Sequence, residues 1–285
     1  MPHLTRRGFT LVELLIGLVL IGIVSAGIYR VLVNNQRIFD AQTQRIEMLQ
    51  NIRAGASILP AELREISASE NDIRAMSATS ISFRAMRQLG FLCAQPVLGV
   101  ANPVLTVRRS PFYGLRAFDT TRDSILVYYE GDQQTRADDG WVIGRITAIA
   151  NGVCPDGRAA WLLTTSLLFG GGQVSQTGRI MFGSPIRGFE PVTYSLYASS
   201  GRNYIGITEG GNAIQPLVGP LLANGLEMAF FDSTGATTAT RSRVASIRIT
   251  LRAETQRAFR QRDASIARAV DSVTTWVSLR NNQRY

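Results

Sequence analysis

The chain contains no lysine, and all 30 of its lysine-plus-arginine total are arginine. That absence removes the phosphate-gripping lysine of a Walker loop and any lysine able to form a Schiff base. Histidine occurs once, at His3. The two cysteines, Cys93 and Cys154, are too few for a disulfide scaffold and too far apart for a Cys-x-x-Cys redox pair. In an exported region they would form one bridge; otherwise they are two separate buried thiols.

Charge is unevenly spread. The formal net charge is +9, yet residues 34–240 carry 17 arginines against 17 acids. Residues 241–285 carry 10 arginines against 3 acids, so the excess outside the N-terminus lies there, where it would steer anionic partners. Arg252, Arg257, Arg260, Arg262 and Arg268 fall between two predicted strands. They read as a solvated loop balancing acidic neighbours, or as an exposed basic loop for DNA or anionic lipid. Phe259 is the only aromatic among them, a poor platform for stacking bases.

Carboxylates pair at Glu62/Glu65, which read as a solvated helix face. They pair again at Asp138/Asp139, which with Asp132 offer oxygen ligands but not EF-hand spacing, so a plain polar turn is the favoured reading. Gly170–Gly172 reads as a turn rather than a phosphate loop.

Eight residues, MPHLTRRG, precede a long apolar run, FTLVELLIGLVLIGIVSAGIY. Phe9 to Tyr29 spans 21 residues, about 31 Å as a helix, enough to cross a bilayer. Arg6 and Arg7 would hold its start in the cytoplasm, which sends the remainder to the periplasm. A secretory signal peptide would be cut after the core, where Ser25, Ala26 and Gly27 offer a weak site. Neither a signal peptide nor an ordinary anchor has a use for Glu13. A carboxylate at that depth costs about 2.5–3.5 kcal/mol and needs a partner.

The run Arg6, Arg7, Gly8, Phe9, Thr10, Leu11, Val12, Glu13, Leu14 resembles the leader and helix start of type IV prepilins and type II secretion pseudopilins. The resemblance implies cleavage between Gly8 and Phe9 by prepilin peptidase and methylation of the new Phe9 amine. It also implies that Glu13 pairs with the Phe9 amine of a neighbouring subunit. Loss of residues 1–8 would take His3 away and leave no histidine, which excludes a Ser–His–Asp triad and His-ligated metal. The expectation is a non-enzyme with no cofactor and no metal site.

Beyond the membrane segment, Leu49, Ile52, Ala56, Leu59, Leu63 and Ile66 recur at helical spacing and predict an amphipathic continuation. Pro60 is expected to kink or restart the helix. After about residue 67 the pattern turns to short β runs: Ser80–Arg84, Ser124–Tyr129, Trp141–Ile149, Trp161–Phe169, Val192–Tyr197, Asn203–Thr208, Leu226–Asp232, Val244–Arg252 and Ser272–Leu279. The predicted class is α+β, with a long N-terminal helix packed on an antiparallel sheet. The predicted divisions are a leader (1–8), a transmembrane half-helix (9–30), an amphipathic half-helix (31–67) and a periplasmic β-rich domain (68–285).

Segments SILVYYEGD, VTYSLYA, NYIGITEGGNAIQPLVGPLLANGLEMAFFDSTG, VASIRITLRAE and DSVTTWVSLRNN, in that order, resemble minor pilins of the PilW type and the minor pseudopilin J of type II secretion. The resemblance implies a subunit that primes or caps a filament. Its partners would be other minor pilins, the major pilin, prepilin peptidase, an inner-membrane assembly platform and the lipid bilayer. The alternatives are a type II secretion role and a nucleic-acid-binding pilin for DNA uptake.

Overall fold

Helix α1 (Leu11–Arg64) runs unbroken for 54 residues, about 81 Å at 1.5 Å per residue. In the computed structural model the described residues are 10–114, 116–130, 134, 139–169, 172–173, 180–261 and 265–280. No residue of α1 before Met48 is buried; Met48, Ile52, Gly55, Leu59 and Leu63 then form one buried stripe. The helix therefore has a free half and a docked half. The helix does not restart at Pro60 but continues through it to Arg64. Proline removes one backbone donor, but Leu59 and Leu63 on either side are wholly buried and hold the last turn to the core.

Among the described residues fifteen strands follow. They are β1 (Ile73–Ser77), β2 (Ser80–Phe91), β3 (Val104–Arg108), β4 (Tyr113–Gly114), β5 (Ser124–Tyr129), β6 (Gly140–Val153), β7 (Ala159–Phe169) and β8 (Gly172–Gln173). The second half comprises β9 (Pro185–Ser199), β10 (Arg202–Glu209), β11 (Gln215–Phe231), β12 (Ser246–Glu254), β13 (Phe259–Arg260), β14 (Ile266–Ala267) and β15 (Val270–Ser278). The chain is thus α+β, a long apolar N-terminal helix followed by a large antiparallel sheet domain. Every run predicted as a strand falls on one, usually longer than expected. The unforeseen strands are β1, β3 and four two-residue pieces.

Thirteen strands join one sheet, and β13 pairs with β14 in a separate hairpin. The docked half of α1 lies across β11, β12 and β15. It packs tightly at Gly55, where an added Cβ would sit 2.9 Å from Leu251 Cδ1 and 3.2 Å from Val218 Cγ1. Asn51 donates to the Gly219 carbonyl at 3.0 Å on the same face. At the helix end, the Arg280 amide donates to the Arg64 carbonyl at 2.8 Å and ties the C-terminal strand to it.

The long strand β9 serves two cores. Val192 and Tyr194 belong to the core under α1, whereas Ile186 belongs to a second core away from the helix. These residues share the parity of Glu190, so they lie on one face of β9 with Glu190 between the two cores. Around the second core β2, β9, β5, β6, β7 and β3 are successive neighbours, and a bridge between Leu92 and Val107 closes the ring.

Candidate functional site: the exposed N-terminal helix

The free half of α1 presents apolar side chains on all sides. Leu11, Leu15, Val19, Ile23 and Ile28 are each more than half exposed. An apolar helix without a covered face needs a nonaqueous surrounding, and its length and composition suit a membrane span. This half of α1 therefore fits a membrane anchor.

The start of α1 is capped within the chain. Thr10 Oγ1 accepts the Glu13 amide at 3.3 Å, and Glu13 Oε2 accepts the Thr10 amide at 3.3 Å. This reciprocal pair satisfies donors that the first turn cannot otherwise pair. Sequence reasoning sought a partner for Glu13 only in another subunit. The Thr-x-x-Glu spacing was the signal for this local role. Gly8 and Phe9, the predicted cleavage and methylation residues, lie outside the described residues.

Cys93 and Cys154 are joined in a disulfide, with Cα atoms 5.6 Å apart. Cys93 follows the Leu92–Val107 bridge, and its amide donates to the Thr106 carbonyl at 2.9 Å. Cys154 sits at the β6–β7 turn. The link thus staples the ring where it closes.

A polar network fills the seam between the two cores. Glu190 receives Arg122 at 2.8 Å, Arg116 at 3.4 Å and Arg87 at 3.7 Å. Arg87 also reaches Glu62 of α1 at 2.9 Å, and Arg116 grips the buried Asp123 at 2.6 Å. Hydrogen bonding with Asp123 and Glu190 holds the Arg116 and Arg122 guanidiniums above their ordinary pKa. Glu62 is thereby a tether rather than the free helix face expected of it. At the end of α1, burial pushes the Asp72 carboxyl up to about 6, against the Ser67 amide and Arg84, which favour its charge.

The five arginines of the basic segment do not act as one loop. Arg252 lies within β12, as in the predicted run Val244–Arg252 and not in the loop after it, and pairs with Glu227 at 2.6 Å. Arg268 pairs with Glu254 at 2.6 Å. Arg257 and Arg260 are exposed, and Arg262 lies outside the described residues. Asp132, Asp138, Gly170 and Gly171 also lie outside them, while Asp139 accepts from the Tyr128 hydroxyl at 2.7 Å. Among the described residues no group of three His, Cys, Asp or Glu side chains could hold a metal ion.

Residues 4–29 match the prokaryotic N-terminal methylation motif. That motif supports the type IV prepilin and pseudopilin family and marks a structural, pilin-type segment rather than a known class of enzyme. The matched range takes in Arg6, Arg7, Glu13 and the apolar run of α1 up to Tyr29. No curated protein and no solved structure matches the chain.

Proposed function

We propose that the chain is a minor pilin that helps to initiate a type IV pilus or to form its tip. The observation that carries this reading is the methylation motif on an uncovered apolar helix. Prepilin peptidase would cut between Gly8 and Phe9, and the Phe9 amine would be methylated. Arg6 and Arg7 favour a cytoplasmic start. The Cys93–Cys154 disulfide suits an oxidising periplasm for the sheet domain.

In the filament, the free half of α1 packs among the helices of other minor pilins and the major pilin. Glu13, released from its local cap or sharing it, takes the Phe9 amine of a neighbour. Burying that pair together avoids leaving a lone carboxylate in hydrocarbon. Glu13→Ala should abolish incorporation into filaments while leaving the membrane-inserted chain intact. Normal incorporation of the variant would defeat the pairing role.

A second reading, a minor pseudopilin of type II secretion, rests on the same N-terminal motif and on the C-terminal segments that resemble both groups. Deleting the gene separates the two: loss of surface pili supports the first, and loss of enzyme secretion with normal pili supports the second. The ion pairs of Arg252 and Arg268 weigh against the DNA-uptake reading.

A further inference from the structure

Strand β15 ends the sheet order and pairs with β12 alone. Its ladder with β12 has no register shift along all nine residues. The parity of that ladder is readable at its two ends. The Leu279 amide donates to the Ala245 carbonyl, and the Thr255 amide to the Ala269 carbonyl, each at 2.9 Å. Odd-numbered residues of β15 therefore direct their backbone groups to β12, and even-numbered ones turn theirs outward. The Thr250 and Thr274 hydroxyls, 3.1 Å apart, agree with this, since side chains stand closer in pairs that exchange no backbone bonds.

Val270, Ser272, Thr274, Trp276 and Ser278 thus present an open row of N–H and C=O groups. The Ser272 amide is taken by Asp271 Oδ1 at 2.7 Å. The other four amides meet no acceptor among the described residues. All five residues are exposed, Val270 to 56 % and Trp276 to 55 %. Natural sheets blunt such an edge with lysine, proline or a bulge. The sequence of β15, VDSVTTWVS, has neither residue, its ladder has no bulge, and Asp271 is its single charge.

The edge has a defined direction relative to α1. Ala269, just before β15, is bonded to Thr255, and two residues further on the Arg257 amide meets Gln44 Oε1 at 2.8 Å. Just after β15, the Arg280 amide meets the Arg64 carbonyl at 2.8 Å. β15 therefore runs beside the docked half of α1 and in the same direction, away from the apolar half. Its exposed face carries Trp276, with the Arg248 guanidinium over the Trp276 ring at 5.8 Å and over Phe231 at 5.7 Å. Arg248 has no ion pair among the described residues, because Glu227 on β11 is held by Arg252.

We propose that β15 receives a strand from a different membrane-anchored subunit, which extends the sheet antiparallel to β15 through backbone hydrogen bonds. The added strand places an apolar side chain on the Trp276 ring and an acid within reach of Arg248. This deepens the pilin reading and rests on it for the identity of the partner. A second copy of this chain does not fit. Two antiparallel β15 strands are related by an axis normal to the sheet, which points the second α1 the opposite way. Both apolar halves could not then enter one membrane.

The test places the photo-crosslinking residue p-benzoylphenylalanine at Ser272 of the full chain in cells of its source. Ala236, in the exposed connection between β11 and β12, is the reference site. Mass spectrometry of cross-linked peptides should show an adduct from 272 and none from 236. The adduct should join an extended segment of a different subunit that has its own N-terminal methylation motif. Thr274→Pro removes an outward amide, so it should lower the adduct by about tenfold or more. Because that amide does not serve β12, the variant should melt close to the natural chain in detergent. Thr275→Pro, whose amide faces β12, should melt much earlier. Amide exchange gives a reading that needs no variant. Thr274, Trp276 and Ser278 should exchange freely in the isolated chain and about tenfold or more slower in the assembly.

No adduct above the reference, an adduct to a second copy, or one that Thr274→Pro leaves unchanged in a folded chain overturns the proposal. So does equal exchange of the three amides in the isolated and assembled chain. An adduct to a strand of a protein without the motif upholds the edge pairing and overturns the pilin reading instead.

Discussion

Glu190 Oε1 lies 2.8 Å from the Arg122 guanidinium, and only 2 % of the Glu190 side chain is exposed. The pair stands where β9 passes from the core under α1 to the core inside the strand ring. A carboxylate in that place satisfies three arginines from β2 and from the segment before β5. Through Arg87 it is linked to Glu62 on the helix. The seam is thus the joint between the part of the domain carried by α1 and the ring beyond it.

Removing Glu190 leaves Arg87, Arg116 and Arg122 facing each other without their shared anion. Glu190→Ala should cost about 3–5 kcal/mol, the usual loss when one member of a buried ion pair is deleted. Glu190→Gln keeps the shape and should cost less. Denaturant unfolding of the detergent-solubilised chain measures both. A midpoint unchanged in Glu190→Ala would contradict the joint.

The disulfide closes a stretch with a sequence separation of 61. In the chain-entropy account, a loop of that size is worth about 4 kcal/mol. Replacing both cysteines by serine should lower stability on that scale. Amide exchange should rise first in β6 and β7, with the strands beneath α1 protected longer. Uniform loosening of the whole domain would contradict a staple local to the ring.

Asp72 gives a pH dependence of defined sign. Burial pushes its carboxyl up to about 6 in the folded chain, from an ordinary value of 3.8. Between those values the folded state holds the extra proton, so this group's contribution to stability falls as pH rises from about 4 to about 6. Relative to Asp72→Asn, the natural chain should gain stability on acidification through that window. A difference between the two that stays constant with pH would contradict it.

Much of the fold was legible because its determinants are local. The 21-residue apolar run, the stripe from Leu49 to Leu63 and the β-rich runs each appear within a window shorter than one element. The strand β1, IRAMS, has no alternation to show, and β3, VLTVR, is a short run close after Pro103. Ring closure was not legible, since Leu92 meets Val107 only once six strands have assembled. The seam was hidden for the same reason: Glu190 and Arg122 are 68 residues apart. At the candidate site, Glu13 was singled out as a carboxylate needing a partner, and within the chain it finds one in Thr10. The signal for that cap is the Thr-x-x-Glu spacing, which a membrane-buried carboxylate masks because its depth points to a partner outside the chain.

The central claim is that this chain is processed and assembled as a pilin-type subunit. Mass spectrometry of the N-terminal peptide from the membrane-extracted protein tests it most directly. The account predicts a chain beginning at Phe9 with a methylated amine. An N-terminus at Met1 or Pro2, or one created by cleavage after Ser25, Ala26 or Gly27, would contradict it.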